Sequence, residues 1–344
     1  MLYRLTEVFL SASVTLQVED ELLAAVYRRR GSAHEVLRVE ELPDPHPGPG
    51  EVRVRVHASG VNPTDWKSRT GDAPLAVEYQ IPNQDGAGVI DEVGEGVDAS
   101  RLGERVWLFH AAWNRVNGTA AQYTVIPSEQ AVLLPESVDF NQGAGLAIPY
   151  ITAHGCLYLD GPITGRTILI AGGAGAVGHA AIELAKFDGA HVITTVSSPE
   201  KAEIARAAGA DVVVNYRDVD VVDQIKAASG GVDRVIEVAL GANLDLDLAV
   251  LRPAGSIITY ATEPTGDPQL PVRRLMTDNV TLRFVLVYNF TNDQITAAVD
   301  GVSRALDAGA LTPLPETHFS LEQIADAHAA VEAGITGKVI VDIP

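Results

Sequence analysis

The chain predicts an α/β protein: a doubly wound parallel sheet, preceded by an all-β unit to which the end of the chain returns. Three observations lead there. A strand, a glycine-rich turn, a helix and a second strand follow one another in RTILIAGGAGAVGHAAIELAKFDGAHVITTVSS, Arg166 to Ser198. Strand starts at Thr167, His191, Asp211, Asp233, Gly255 and Thr281 alternate with helical patterns between about Ile148 and Tyr288, as parallel strands joined by crossover helices do. Short strands punctuated by Gly and Pro fill Leu23 to about Ala147, the spacing of a barrel-like antiparallel unit.

Taken in order, Leu2 to Glu21 mixes polar and apolar residues and carries the acidic run Glu19-Asp20-Glu21. It lacks the basic start and long apolar core of a signal peptide, so residues 1–22 are expected outside the fold as an N-terminal extension. A clean strand begins at Leu23 and runs to Tyr27. Val52, Val54 and Val56 alternate with Arg53, Arg55 and His57, the period of a half-buried strand. Further strands read at Gly88–Val93, Arg105–Phe109 and Ala121–Val125. After the parallel sheet, Ser320-Leu321-Glu322-Gln323 is a capping box for a helix to about Glu332, with Gly334 as its stop and a strand Val339–Ile343 at the end. Residues 23–147 and 289–344 then form one domain and residues 148–288 the other.

Composition sets limits. At 344 residues the chain can bury a large core, 47% of it is apolar, and no apolar run is long enough to cross a bilayer. The single cysteine, Cys156, excludes an internal disulfide and a multi-cysteine zinc lobe, and fits a reducing cytoplasm. A formal charge of −20 argues against nucleic acid or an anionic membrane as partner.

Within the glycine turn, Gly173, Gly175 and Gly178 give the spacing G-x-G-x-x-G. The first lets the turn tighten, the second lets a pyrophosphate approach the backbone, and the third lets helix pack on strand. The helix start that follows, at Ala176, Val177 and Gly178, offers N–H groups and the positive end of a helix dipole to phosphate. Alone the glycine pattern is weak. Set between a strand and a helix of a βαβ unit, it reads as a dinucleotide site of Rossmann type.

The end of the second strand selects the dinucleotide. NAD binders usually carry Asp or Glu there, bonded to the ribose 2′-OH. Here stand Thr195, Val196, Ser197 and Ser198, with Lys201 close behind and no carboxylate before Glu200. Hydroxyls and an ammonium suit a 2′-phosphate, and Tyr216 and Arg217 can close over it. This favours NADPH over NADH. Ser197-Ser198-Pro199 also reads as the cap and first turn of the next helix; both readings can hold at once.

The order of units resembles the medium-chain dehydrogenase/reductase superfamily, and within it the zinc-independent quinone oxidoreductases, the zeta-crystallin-like branch. Several segments carry the resemblance: GVNPTDWKSRTG (Gly60 to Gly71), DGAGVIDEVGEGV (Asp85 to Val97), AIPYITAHGCL (Ala147 to Leu157), the glycine turn, and AHAAVEAG…GK ending at Lys338. It covers about Leu23 to Pro344. It implies a GroES-like β-barrel substrate domain, built by the N-terminal part and the return segment, around a Rossmann NADP-binding domain. It also implies dimers joined edge to edge through the Rossmann sheets, with TLRFVLV (Thr281 to Val287) as the edge or else buried within the monomer.

Where zinc alcohol dehydrogenases place their catalytic cysteine this chain has Asn62, where they have His-Glu it has Gln84-Asp85, and the third ligand position falls near Ile148. His110, His154 and His179 show no ligand spacing with a carboxylate and read as core or surface histidines. No metal site is expected. Without a Lewis acid, alcohol oxidation is hard, whereas hydride transfer to a conjugated carbonyl needs placement, hydrogen bonds to the remote oxygen and a dry cleft.

By resemblance, the Asn62 amide points toward the nicotinamide ribose and substrate. Lys67 matches a lysine of plant-type enone reductases that faces the substrate carbonyl, and tilts the reading toward enones; it reads equally as a surface lysine. Tyr150 and Thr152 lie near the nicotinamide, Tyr150 as a third catalytic candidate or as packing. The strand Leu282–Val287 presents backbone groups to the carboxamide at Val287. Lys338 enters the same cleft or is a solvated residue before a strand. Asp65 reads as a loop carboxylate bonded to backbone N–H groups, Trp66 as a cleft wall or core residue, and Cys156 as a buried small hydrophobe. The expected activity is an NADPH-dependent reductase of quinones or α,β-unsaturated carbonyls. The alternatives are an enoyl-thioester reductase and a non-catalytic, crystallin-like NADPH-binding protein.

Overall fold

The computed structural model describes residues 21–262 and 268–344; residues 1–20 of the anticipated extension lie outside them. The extension had been drawn to residue 22, but Glu21 and Leu22 already pair with Pro43 and Leu42. Leu22 is buried, and that burial is what starts the strand there.

The first unit holds β1 (Glu21–Val26), β2 (Arg38–Pro43), β3 (Glu51–Val61), β4 (Asp85–Val93), β5 (Arg105–Leu108), β6 (Tyr123–Pro127) and β7 (Ala131–Leu133). The second holds β8 (Thr167–Ile170), β9 (His191–Val196), β10 (Val212–Asn215), β11 (Val232–Glu237), β12 (Leu251–Thr259) and β13 (Thr281–Phe284). β14 (Glu316–Ser320) and β15 (Lys338–Asp342) close the chain.

β8 to β13 form a parallel sheet in the order β10-β9-β8-β11-β12-β13. The order reverses between β8 and β11, so a crevice opens at the carboxyl ends of those two strands, where doubly wound sheets bind ligands. Isoleucine, valine and leucine face both sides of the central strands, as burial between two helical layers requires. Two details differ from the sequence reading. β12 begins at Leu251, not Gly255, because the β11–β12 register shifts between Val232 and Arg234 and Ala254 takes a left-handed φ of 59°. β13 ends at Phe284, and Val287–Asn289 is a 3₁₀ turn rather than strand.

The other large sheet runs β14-β15-β3-β4-β5-β7, with β6 also on β3. β15 pairs antiparallel with β3, Val339 opposite Val61, so the return segment completes this GroES-like unit. The capping box at Ser320 holds, with Ser320 N donating to Gln323 Oε1 at 3.0 Å, and the helix Ile324–Glu332 ends before Gly334 at φ 78°. The helix Ala147–Tyr158 and the turn Val287–Asn289 join the two units. One apolar core runs through that junction, from Ala58, Trp107 and Phe109 through Ile148 and Ile151 to Ile170, Val285 and Val287. Among the described residues no helix is long and apolar enough to cross a membrane.

Candidate active site

The glycine turn sits where β8 delivers it, at the crevice. Its left-handed residue is Gly172 (φ 70°), one place earlier than the spacing suggested. A Cβ on Gly173 would strike Thr194 Oγ1 of β9, and one on Gly178 would strike the carbonyl of Gly172. The first and third glycines are therefore required by close packing, of the turn on the neighbouring strand and of the helix on the turn. Gly175 differs: the nearest atom to a Cβ there is Gly172 O at 3.3 Å, so its outer side is open. Gly175 caps the helix Ala176–Phe187, whose first N–H groups, on Ala176, Val177 and Gly178, have no acceptor within the helix. An open backbone approach beside unpaired helix N–H groups fits a pyrophosphate.

Beside it, the ends of β9 and β10 converge. Ser198 caps the helix Pro199–Ala207, its Oγ accepting from Lys201 N at 3.4 Å. Tyr216 N donates to Val196 O at 3.1 Å, and Arg217 Nη1 reaches Ser197 O at 3.3 Å. Ser197, Ser198, Lys201, Tyr216 and Arg217 thus border one corner, and the Tyr216 ring is exposed there. The capping role of Ser198 and its place in this corner coexist.

On the opposite side a polar cluster is buried at the base of the helix Pro63–Thr70. Lys338 Nζ donates to Asn62 Oδ1 at 2.7 Å, Asn62 Nδ2 donates to Asp85 Oδ2 at 2.7 Å, and Lys338 lies 3.5 Å from Asp85 Oδ2. Ile148 N, at the start of the junction helix, donates to both Asp85 oxygens at 3.1 and 3.2 Å. Asp65 Oδ2 accepts from Asn62 N at 2.7 Å, the loop-carboxylate role read from the sequence. Burial, with the nearby Asp85, pushes Asp65 up to about 8. Burial also raises Asp85 and lowers Lys338. One proton on Asp65 and an Asp85–Lys338 ion pair leave this cluster without net charge near neutral pH.

Asn62, Asp85 and Ile148 do meet, as the correspondence with zinc enzymes implied. Zinc takes three or four Cys, His or carboxylate donors. Here Ile148 contributes a backbone N–H, Asn62 is engaged on both amide atoms, and the cation is the Lys338 ammonium. This donor set does not fit zinc. Among the described residues no group of three or more His, Cys, Asp or Glu could hold a metal ion.

Between the two sides a cleft of about 370 Å³ is lined by Tyr150, Ala176, His179, Thr312 and Lys338, among others. Three residues singled out in the sequence, Tyr150, Ala176 and Lys338, therefore share one cavity. The Tyr150 hydroxyl donates to Glu183 Oε2 at 2.5 Å. Burial, then the Glu183 charge, holds its pKa well above the usual phenol value. As placed, Tyr150 gives its proton to Glu183, not to a substrate. Glu183 Oε1 accepts from Thr312 N (2.8 Å) and Thr312 Oγ1 (2.6 Å), and His179 Nε2 lies 3.1 Å from Thr312 O.

The remaining candidates are scattered. Lys67 is exposed on the helix Pro63–Thr70, its ammonium 5.8 Å from the Trp66 ring, and does not join the buried cluster. Thr152 is buried within the junction helix, and Val287 is buried in the turn that replaces the expected strand. Cys156 is fully buried with its thiol pushed upward by burial. Asp85, Glu183 and Thr312 were not singled out as site residues. Their partners lie far along the chain, Thr312 and Glu183 being 129 residues apart, and no local pattern encodes such a pairing.

Two family models match, an alcohol dehydrogenase GroES-like domain over residues 48–136 and a zinc-binding dehydrogenase over residues 176–304. The quinone oxidoreductase of Sus scrofa is 32% identical over 330 residues, covering 93% of this chain and 98% of that one. The native structure of a mycobacterial quinone oxidoreductase superposes with a TM-score of 0.81 at 28% identity, covering 93% of this chain and 99% of that one. A mycobacterial structure complexed with NADPH gives a TM-score of 0.80 at 27% identity, with the same coverage. With that coverage and identity, the chain belongs to the quinone oxidoreductase branch of the medium-chain dehydrogenase/reductase superfamily.

Proposed function

We propose that the chain is an NADPH-dependent, zinc-independent reductase that passes hydride to quinones or α,β-unsaturated carbonyls. The observation that carries this reading is the pairing of an acid-free ribose corner with a buried Asn62–Lys338–Asp85 cluster at the place of metal ligands. NADPH supplies the hydride when bound. Ala176, Val177 and Gly178 hold its pyrophosphate through backbone N–H groups, with Gly175 allowing the approach. Ser197, Ser198, Lys201, Tyr216 and Arg217 surround the 2′-phosphate. Asn62 and Lys338 border the reacting end and place positive charge and amide hydrogen bonds at the base of the cleft. Tyr150, fixed on Glu183, shapes its wall, and Thr152 and Val287 back the nicotinamide from the junction. Lys67, exposed beside Trp66, lies within reach of an acceptor at the cleft mouth. The relative that is complexed with NADPH supports this cofactor. The protein acts as a homodimer in a reducing cytoplasm, a compartment that suits one buried thiol.

The test is NADPH oxidation by chelator-treated protein with benzoquinone, phenanthrenequinone and an enone in parallel. Turnover with NADPH, weaker with NADH and indifferent to chelator, is the expected result. Tight NADPH binding with no acceptor reduced would turn the reading to a thioester substrate or a non-catalytic role, and loss of activity on chelation would restore metal chemistry.

A further inference from the structure

Tyr288 occupies the turn that joins the parallel sheet to the last helical segment, and its hydroxyl crosses to the other unit. It donates to Thr64 Oγ1 at 3.0 Å, two residues beyond Asn62 in the first turn of the helix Pro63–Thr70. Among the described residues this is the one hydrogen bond at Thr64 Oγ1, so the Thr64 hydroxyl keeps its own hydrogen to give. The ring of Tyr288 is held from two directions. It stacks on Trp113 at 4.1 Å and 16°, and lies 4.9 Å from the His110 ring.

His110 is itself unusual. It takes a left-handed φ of 56°, rarely adopted by a non-glycine residue and often kept for function. Arg115 pins it by donating to its carbonyl at 2.7 Å. Its side chain is buried, and Nε2 has no partner among the described residues. Burial, then Arg115, lowers its pKa to about 4, so the imidazole is neutral. Three polar groups and an aromatic plane therefore meet beside Asn62, each with capacity that the protein's own contacts leave unused.

We propose that Thr64 and Tyr288 form a paired hydroxyl donor for the carbonyl oxygen of the substrate, Thr64 touching that oxygen and Tyr288 positioning Thr64. The inference rests on the reductase reading above. Hydride adds to the conjugated carbon with its electron pair, the C=C π pair moves to form the enolate, and negative charge gathers on the carbonyl oxygen. A solvent proton then completes the saturated or hydroquinone product. A hydroxyl already polarised by accepting from Tyr288 is a stronger donor to that oxygen. It sits at the positive end of a helix, which favours the same charge. The Trp113 plane beside it suits a flat, conjugated acceptor.

The test compares Thr64→Val, Thr64→Ser and Tyr288→Phe in the full chain. Three readouts are used: steady-state kinetics with a quinone and an enone, NADPH affinity by fluorescence without acceptor, and binding of nitrophenolate as a flat oxyanion that is not reduced. Thr64→Val should lower kcat roughly 100-fold, the usual loss of one oxyanion donor, with NADPH affinity unchanged and nitrophenolate bound more weakly. Thr64→Ser should restore kcat, and Tyr288→Phe should cost less alone and nothing further in the Thr64→Val background. A Thr64→Val protein with wild-type kcat and nitrophenolate affinity would overturn the proposal alone, as would parallel loss of NADPH binding. A wild-type protein that reduces no conjugated carbonyl would overturn the reductase reading and this inference together.

Discussion

Lys338 is only 5% exposed, and its ammonium has two oxygen neighbours, Asn62 Oδ1 and Asp85 Oδ2. A buried charge without its partner is far more costly than the intact pair is stabilising. Lys338→Met should therefore destabilise the protein by about 3–5 kcal/mol, read from urea denaturation. Adding Asp85→Asn should cost less than the sum of the two single changes, because they share one interaction. A Lys338→Met midpoint equal to wild type would mean that water, not Asp85, solvates the ammonium. Asp65 makes a second prediction. Its folded-state pKa is about 8, against about 3.9 in an unfolded chain. Between those values the folded protein binds more protons, so stability falls as pH rises through this window. Asp65→Asn keeps the acceptor for Asn62 N and cannot ionise, so its denaturation midpoint should depend less on pH from about 4 to 8. An unchanged slope would place the proton elsewhere in the cluster.

At the scale of elements, β11 and the helix Leu240–Val250 show a similar device away from the cleft. Glu237 ends the strand with Oε1 accepting from Asn243 Nδ2 at 3.0 Å and from Ala239 N, which anchors the helix start. Asp247, two turns along, is buried against the same carboxyl; burial, then the Glu237 charge, pushes it up to about 9. Asp247 thus holds a proton across the neutral range, and stability is lost as pH rises from about 4 toward 9. Asp247→Asn should match wild type near pH 4 and exceed it at pH 8, on the order of a few kcal/mol. Equal pH profiles for the two proteins would show that the proton is not there.

Elements of this kind also mark how far the sequence can be read. Thr167, His191 and Thr281 open their strands where the apolar runs begin, because a strand buried on both faces must be apolar throughout. β2, RVEELP, has no such run. It exists because β1 pairs along it, and pairing is invisible in its own residues. Likewise G-x-G-x-x-G marked the phosphate cradle, but which glycine carries the left-handed turn was settled by Thr194 of the next strand. Asn62 and Lys338 were legible through resemblance alone. Their bond spans 276 residues, and only the return of β15 to β3 makes it.

The molecule as a whole leaves one sheet edge uncovered. β13 is the outer strand of the parallel sheet, paired with β12 alone. Around it Phe284 is 69% exposed, Leu286 53%, Val272 61% and Met276 72%. The monomer therefore does not bury TLRFVLV. An exposed strand edge flanked by large apolar side chains invites pairing with another strand, and a second copy presents the same edge to form a closed twofold pair. The charge of −20 on each chain works against that contact. Repulsion between like-charged copies is screened within about 8 Å at physiological ionic strength, whereas apolar burial is not. Light scattering should then give a dimer mass at moderate salt, with dissociation on dilution into low salt. Phe284→Glu combined with Leu286→Glu should leave a monomer that still binds NADPH, since neither residue lines the cleft. If that double variant kept the wild-type mass, the edge would be no interface, and the apolar patch would need another occupant.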